Sequence, residues 1–301
     1  MYTSVSEVHE HTLAGPAICA GVGVHTGKRT RLSIRPAAAG TGIVFVRTDV
    51  KDKDNRVPVS GEAVVKTQLG TVIANDAGVT VSTIEHLMSA MCVLGIDNAV
   101  IELDGPEVPI MDGSALPFVQ LLDRAGFRRQ EAPQRYIEVL EPIVVEEAGG
   151  KSAALLPCDR FEMFFEIEFD SEVIGRQSVD LVIDEETYRR EIMSARTFGF
   201  VEEVEALRAM GLARGGSLEN AVVIDGDRVL NPEGLRYPDE FVRHKALDAV
   251  GDLYVLGMPL LARFEGRKAG HGINNALVRA LLARPEAWRV VTFEQELAQA
   301  G

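Results

Sequence analysis

The sequence predicts an α+β protein built from two similar halves. Three observations carry this. Short β-rich runs alternate with stretches of helical spacing along the 301 residues. The order helix, strand, loop, helix is read once from Ser82 to Ala125 and again from Glu240 to Leu282. Between the two, Gly126 to Arg135 is polar and contains Pro133, which places a boundary there: residues 1–130 form an N-terminal domain and 135–301 a C-terminal one.

Composition narrows the class. Apolar residues make up 46% of the chain and charged residues 25%, as in an ordinary globular protein. No run approaches the length of a membrane-spanning helix. Met1 to Glu7 lacks the basic patch and apolar run of a signal peptide. Cys19, Cys92 and Cys158 are far apart and odd in number, so they imply neither a disulfide framework nor a paired zinc motif, and a reducing cytoplasm is expected. The net charge of -14 argues against nucleic acid as a partner but leaves room for a small anionic ligand held by a few lysines.

In chain order, Ile18 to Pro36 reads as a hairpin around the turn-rich Gly21–Gly27, with His25 at the turn as either a ligand or a hydrogen-bonded turn residue. The polar segment carrying His9 and His11 reads as surface. Strands are expected at 42–46, 63–65 and 71–73. A helix should then start near Ser82, which with Glu85 fits a capping box; this would account for Glu85 but not for His86 beside it. A strand at 98–103 and a loop through Met111-Asp112-Gly113 lead to a helix capped by Ser114.

In the second half, strands are expected at 136–145, 153–156, 161–169 and 177–183, then a short helix from Glu185 to Ile192. Residues 201–210 read as a small amphipathic helix and 221–224 as a strand. Their apolar side chains, Val204, Leu207, Met210, Leu212 and Val223, suit either a satellite core or a ligand channel in an inserted piece of about 199–226. The next helix starts after Pro238-Asp239 and stops at Gly257. His271 lies in a glycine-flanked loop before a helix from Ala276 to Leu282.

The chemistry concentrates in the helix 240–253. His244, Asp248 and Asp252 are four residues apart and stack along one face. An imidazole and a carboxylate one turn apart can reach one metal ion; a solvated polar face would look the same. With His86 as a third ligand, two imidazoles and one carboxylate leave a fourth position open, the pattern of a catalytic zinc site. Glu85 would serve as base, and His271 as oxyanion stabiliser and acid, kept protonated by Asp252. Lys245 suits a phosphate or oxyanion. The same ligands also fit a non-haem iron oxygenase, though that leaves Glu85 and His271 without work; a metal-free binding module leaves all of these residues without work.

Five separated motifs, Ser82–Leu87, Pro109–Ser114, Ala195–Phe200, Phe241–Asp248 and Gly270–Asn275, together with Gly21–Gly27, resemble the bacterial UDP-3-O-acyl-N-acetylglucosamine deacetylases, from about Thr12 to about Gln295. The resemblance implies zinc-dependent hydrolysis of the N-acetyl group of UDP-3-O-(3-hydroxyacyl)-N-acetylglucosamine, the committed step of lipid A synthesis. It implies one zinc ion on His86, His244 and Asp248, Glu85 as base, and His271 supported by Asp252; a monomer is expected. Thr197 matches a threonine that hydrogen-bonds the tetrahedral oxygen; Phe198 and Lys245 match contacts to sugar and phosphates. The implied fold is two domains, each a small mixed sheet on two helices, with the site between them. The insertion would form an apolar acyl passage, in which Val204, Ala213, Gly216, Ser217 and Val223 are expected contacts. One departure stands out: many members carry a cysteine near the metal where this chain has Gly70.

Overall fold

A computed structural model describes residues 8–292, so Met1 to Glu7 and Phe293 to Gly301 lie outside the described residues. Six helices are present among those residues: α1 (Glu85–Val93), α2 (Leu116–Ala125), α3 (Glu185–Glu191), α4 (Val201–Ala209), α5 (Glu240–Leu253) and α6 (His271–Leu282).

Two sheets repeat one topology. In the first, the strand order is Ala17–Val22, Arg29–Pro36, Ala99–Leu103, Ile43–Arg47, Arg56–Pro58. The third and fourth pair in parallel and the other neighbours antiparallel. The second sheet runs Ile143–Glu147, Lys151–Pro157, Leu260–Arg267, Phe161–Glu168, Arg176–Val182 with the same sequence of directions. Two more strands, Tyr136–Val139 and Trp288–Val291, extend it beside Leu260–Arg267. In each sheet a helix precedes the central strand and another follows it: α1 and α2 in the first half, α5 and α6 in the second.

Each half makes an excursion at the same point, between its fifth strand and its first helix. In the first half this is a three-stranded sheet, Val64–Lys66, Val72–Ala74 and Thr80–Val81. In the second it is α3 followed by a β-α-β unit. There Phe198–Phe200 and Val222–Asp225 pair in parallel, joined through α4, and Arg228–Val229 closes the edge.

The alternation of apolar residues explains how the sheets bury one face. Along Leu260–Arg267, Leu260, Ala262 and Phe264 point inward, and along Phe161–Glu168, Met163, Phe165 and Ile167 do. Helix α6 packs on Ile143–Pro157, α5 on Phe161–Val182 and α2 on Ala17–Val22, while α1 lies against α5. The helical layers therefore face each other, and α1 is buried from Glu85 to Met91. Gly251 permits this contact: a β-carbon there would stand 2.0 Å from the Glu85 carbonyl oxygen.

Four local expectations are corrected. No capping box starts α1: Thr83 is left-handed at φ 59°, so the helix begins only at Glu85, whose carboxylate turns to the Thr71 N–H instead. The polar stretch after Gly126 is a strand, Phe127–Pro133, paired antiparallel with His9–Leu13; this partner buries His9, which had read as surface. The strand expected at 136–145 is interrupted near Pro142, which has no N–H to donate. His271 is the first residue of α6 rather than part of a loop, because Gly272 is tolerated within the first turn.

Candidate metal and catalytic site

The site lies where α1 meets α5 and α6. Helix α5 sets His244 and Asp248 one turn apart, and α1 brings His86 to them from the other half. His86 Nε2 is 3.4 Å and His244 Nε2 3.3 Å from Asp248 Oδ1, all three side chains being buried. One ligand atom from each residue falls within a group spanning 4.8 Å. The imidazoles stand edge to face, with centroids 4.9 Å apart.

The electrostatics suit a cation. Burial pushes the His244 pKa down, to about 3, against the pull of Asp248, so the imidazole is neutral near pH 7. The Ala195 carbonyl lies 3.0 Å from His244 Nδ1, fixing the proton there and leaving Nε2 as a lone pair facing the cluster. Burial pushes the Asp248 carboxyl up, but its neighbours His244, Lys245 and His271 outweigh that, with the Lys245 ammonium and the His271 imidazolium keeping their charge at neutral pH, and hold it well below the usual carboxylate range. Asp248 Oδ1 is buried without a hydrogen bond. Two imidazole nitrogens and an orphaned carboxylate oxygen thus converge on one point, and the donor set fits a divalent ion with a position left over.

Two proton-handling groups flank this cluster. Burial raises the Glu85 pKa, with His271 and His86 opposing it. Glu85 Oε2 accepts from the Thr71 N–H at 2.9 Å, and Oε1 lies 4.0 Å from His271 Nε2. His271 Nδ1 is 2.8 Å from Asp252 Oδ2, and Asn274 Nδ2 donates to the same oxygen at 2.9 Å. Burial pushes the His271 pKa down, but Asp252, followed by Asp248 and Glu85, drives it up to about 10. The imidazolium therefore persists at neutral pH with Nε2 turned toward the cluster.

A cavity of about 460 Å³ opens over these groups. Its floor carries Glu85, His86, His244, Asp248 and His271, and its wall includes Thr197, Phe198 and Lys245. It continues along the second excursion past Val204, Ala213, Gly216, Ser217 and Val223. The excursion is fastened to the first half: the N–H groups of Arg214 and Gly215 donate to the His25 and Val24 carbonyls at 3.2 and 3.0 Å. The Thr197 N–H likewise donates to the Gly113 carbonyl at 2.8 Å.

Lys245 donates to Asp248 Oδ2 at 2.9 Å and lies over the Phe198 ring. Together with His271 it also lines a second hollow of about 480 Å³, with Lys151, Lys268 and Phe169. His25 lines the cavity too; its Nε2 lies 2.9 Å from the Leu69 carbonyl, and its turn is held by the Glu107 carboxylate. Asp252 stands behind His271, outside the cavity lining.

A family model described as LpxC: UDP-3-O-acyl N-acetylglycosamine deacetylase matches residues 10–283. The chain belongs to this family. The LpxC family consists of deacetylases, hydrolases acting on an N-acetyl amide. Three curated relatives carry the name UDP-3-O-acyl-N-acetylglucosamine deacetylase. The protein of Phenylobacterium zucineum is 69% identical, covering 97% of this chain and 99% of its own. Those of Shewanella sp. strain W3-18-1 and Shewanella oneidensis are 51% and 50% identical, each alignment covering 96% of this chain and 94% of the relative.

Sequence reasoning missed Thr71, which touches Glu85 and Asp252, and the Ala195 carbonyl behind His244. No local signal marks either, since Thr71 sits in an unremarkable β-rich run and a carbonyl belongs to every residue. At Gly70, φ is +151° and a β-carbon would stand 2.7 Å from Glu85 Oε1, so any side chain there would have to move the carboxylate.

Proposed function

We propose that this chain is a zinc-dependent deacetylase that hydrolyses the N-acetyl group of UDP-3-O-(3-hydroxyacyl)-N-acetylglucosamine and releases acetate. The reaction is the committed step of lipid A synthesis. The observation that carries the reading is the meeting of His86, His244 and Asp248 with Glu85 and His271 on the floor of one cavity. Held by the two imidazoles and the carboxylate, zinc supplies Lewis acidity for a carbonyl and lowers the pKa of water toward neutrality.

The chain's own residues do the rest. Glu85, made more basic by burial, accepts a proton from water as the new C–O bond forms at the acetyl carbon. His271 Nε2 donates to the carbonyl oxygen as it gains charge, and the hydroxyl of Thr197, which lines the same cavity, donates to it as well. As the C–N bond breaks, His271 passes its proton to the leaving nitrogen, so acetate and a free amine result. Asp252 keeps the imidazolium charged and oriented.

The substrate's two ends have separate places. The passage beside Val204, Ala213, Gly216, Ser217 and Val223 takes the acyl chain. The lysines of the second hollow, with Lys245 between the two spaces and Phe198 beside it, suit the diphosphate end. The reaction then takes place between an N-terminal domain, 1–130, and a C-terminal domain, 135–301, and the protein works as a cytoplasmic monomer. No helix among the described residues is long and apolar enough to cross a membrane.

The test is acetate release from the acylated nucleotide sugar before chelation, after it, and after zinc is added back. Loss and recovery of stoichiometric acetate are expected. Release that ignores chelation, or that requires oxygen, overturns the reading.

A further inference from the structure

One residue of the first excursion is bonded both to Glu85 and to Asp252, the partner of His271. Thr71 is 3% exposed and immediately precedes the strand Val72–Ala74. Its N–H donates to Glu85 Oε2 at 2.9 Å, and its hydroxyl donates to Asp252 Oδ1 at 2.6 Å. Glu85 opens α1 in the first half, whereas Asp252 belongs to α5 in the second. We infer that Thr71 is a positioning residue that sets the Glu85 carboxylate and the Asp252–His271 pair relative to each other. The inference rests on the deacetylase reading for what the two groups do, but not for how they are held.

Geometry supports it from both sides. A glutamate on the first turn of a helix has three side-chain torsions to settle, and the last is broad. The Thr71 N–H holds Oε2, so Oε1 is the oxygen left beside His271 Nε2, at 4.0 Å. The aspartate carboxylate has a broad torsion of its own. Its two oxygens are held by different donors, Oδ1 by the Thr71 hydroxyl and Oδ2 by Asn274 Nδ2, with His271 Nδ1 at 2.8 Å from Oδ2. Removing the hydroxyl frees one end of the carboxylate, and the plane in which it meets the imidazole is no longer defined.

Thr71 can act as such a gauge because its own backbone is pinned. The Leu69 carbonyl, two residues earlier, lies 2.9 Å from His25 Nε2. At Gly70 a β-carbon would stand 2.7 Å from Glu85 Oε1, so this segment packs closely against that carboxylate. The β-branched side chain also restricts χ1, so the hydroxyl points one way. Both hydrogen bonds that Thr71 donates end on Glu85 and Asp252, while its carbonyl accepts from the Ile84 N–H at 3.4 Å and ties the residue to the start of α1.

The test compares Thr71→Val with Thr71→Ser in the metal-loaded protein. Valine keeps the shape and the N–H but loses the hydroxyl; serine keeps both polar groups. Thr71→Val should lower kcat about 10- to 100-fold with KM within about twofold, since a hydrogen bond to a charged group is lost. Thr71→Ser should stay within about threefold of the native kcat. In an Asp252→Ala background, Thr71→Val should add less than about a twofold effect.

An independent readout is the low-field NMR signal of the His271 Nδ1 proton, which should move in Thr71→Val and hold in Thr71→Ser. If Thr71→Val does not fold, Thr71→Ala removes the same hydroxyl without adding a methyl group. Native kcat and an unmoved signal in the variant lacking the hydroxyl overturn the inference. A moved signal with no acetate release even from native protein upholds the positioning and overturns the deacetylase reading instead.

Discussion

Helices α5 and α4 border the same cavity and are built in opposite ways. Every residue of α5 except Arg243 and Lys245 is buried. No residue of α4 is buried, although Val201, Val204 and Leu207 line the cavity. Around α5 each functional side chain has a fixed neighbour: Ala195 for His244, Lys245 for Asp248, Thr71 and Asn274 for Asp252. Along α4 apolar side chains alternate with Glu202, Glu203, Glu205 and Arg208, of which Arg208 donates to the Gly216 carbonyl at 3.0 Å. Proton transfer demands placement to within a fraction of an ångström, so the floor is over-determined by packing. On the proposed reading α4 has only a hydrocarbon chain to hold, which demands area removed from water, and an exposed helix suffices for that.

The contrast predicts large losses of turnover at the floor and small losses of binding at the wall. The largest effect should come from Glu85→Ala and His271→Ala. Each should lower kcat about 10²- to 10⁴-fold, with the double variant far short of the product. Steady-state kinetics with metal content measured alongside would check this, and native turnover in both single variants would break the contrast.

Next comes the pH profile. Activity should rise with pH as Glu85 loses its proton, at a pKa raised by burial, and fall as His271 loses its own near 10. Asp252→Asn removes a charge that holds the imidazolium proton, so the alkaline limb of kcat/KM should move to lower pH. A limb that stays in place would assign it to another group.

Gly251→Ala probes the packing of the floor without touching its chemistry directly. The added carbon collides with the Glu85 carbonyl oxygen, so a loss of about 1–3 kcal/mol in denaturant melts is expected, with reduced kcat as α1 is pushed away. The smallest effect belongs to the wall. Val204→Ala with Val223→Ala should raise KM by less than about tenfold and leave kcat and stability nearly unchanged. A loss of kcat there comparable to that at the floor would show the wall to be part of the catalytic geometry.

How much of this could be read in advance followed the same divide. The spacing of His244, Asp248 and Asp252 is a property of one helix, and it survives intact in the structure. The place of His86 beside them depends on two helices from different halves packing together, which residue spacing does not encode; the repeated order of elements suggested it and the family motifs strengthened it. Glu85 had a sufficient local explanation as a cap, and only the left-handed Thr83 and the Thr71 N–H redirect it. The glycines around His271 read as a loop because residue types do not reveal that Gly270 is the extended residue preceding a helix. The strand Phe127–Pro133 was hidden by its charge, since its partner, His9–Leu13, lies more than a hundred residues away.

The shared departure point of the two excursions has an engineering consequence. Each leaves after a sheet's fifth strand and rejoins at the helix that opens the catalytic floor. Neither sheet needs to be re-threaded if one excursion is swapped for a relative's. On the proposed acyl-passage reading, residues 201–229 form a cassette for chimeras that leaves Thr197 and Phe198 in place: transplanting it should retune which acyl tail is accepted, while α1 and α5 keep their register.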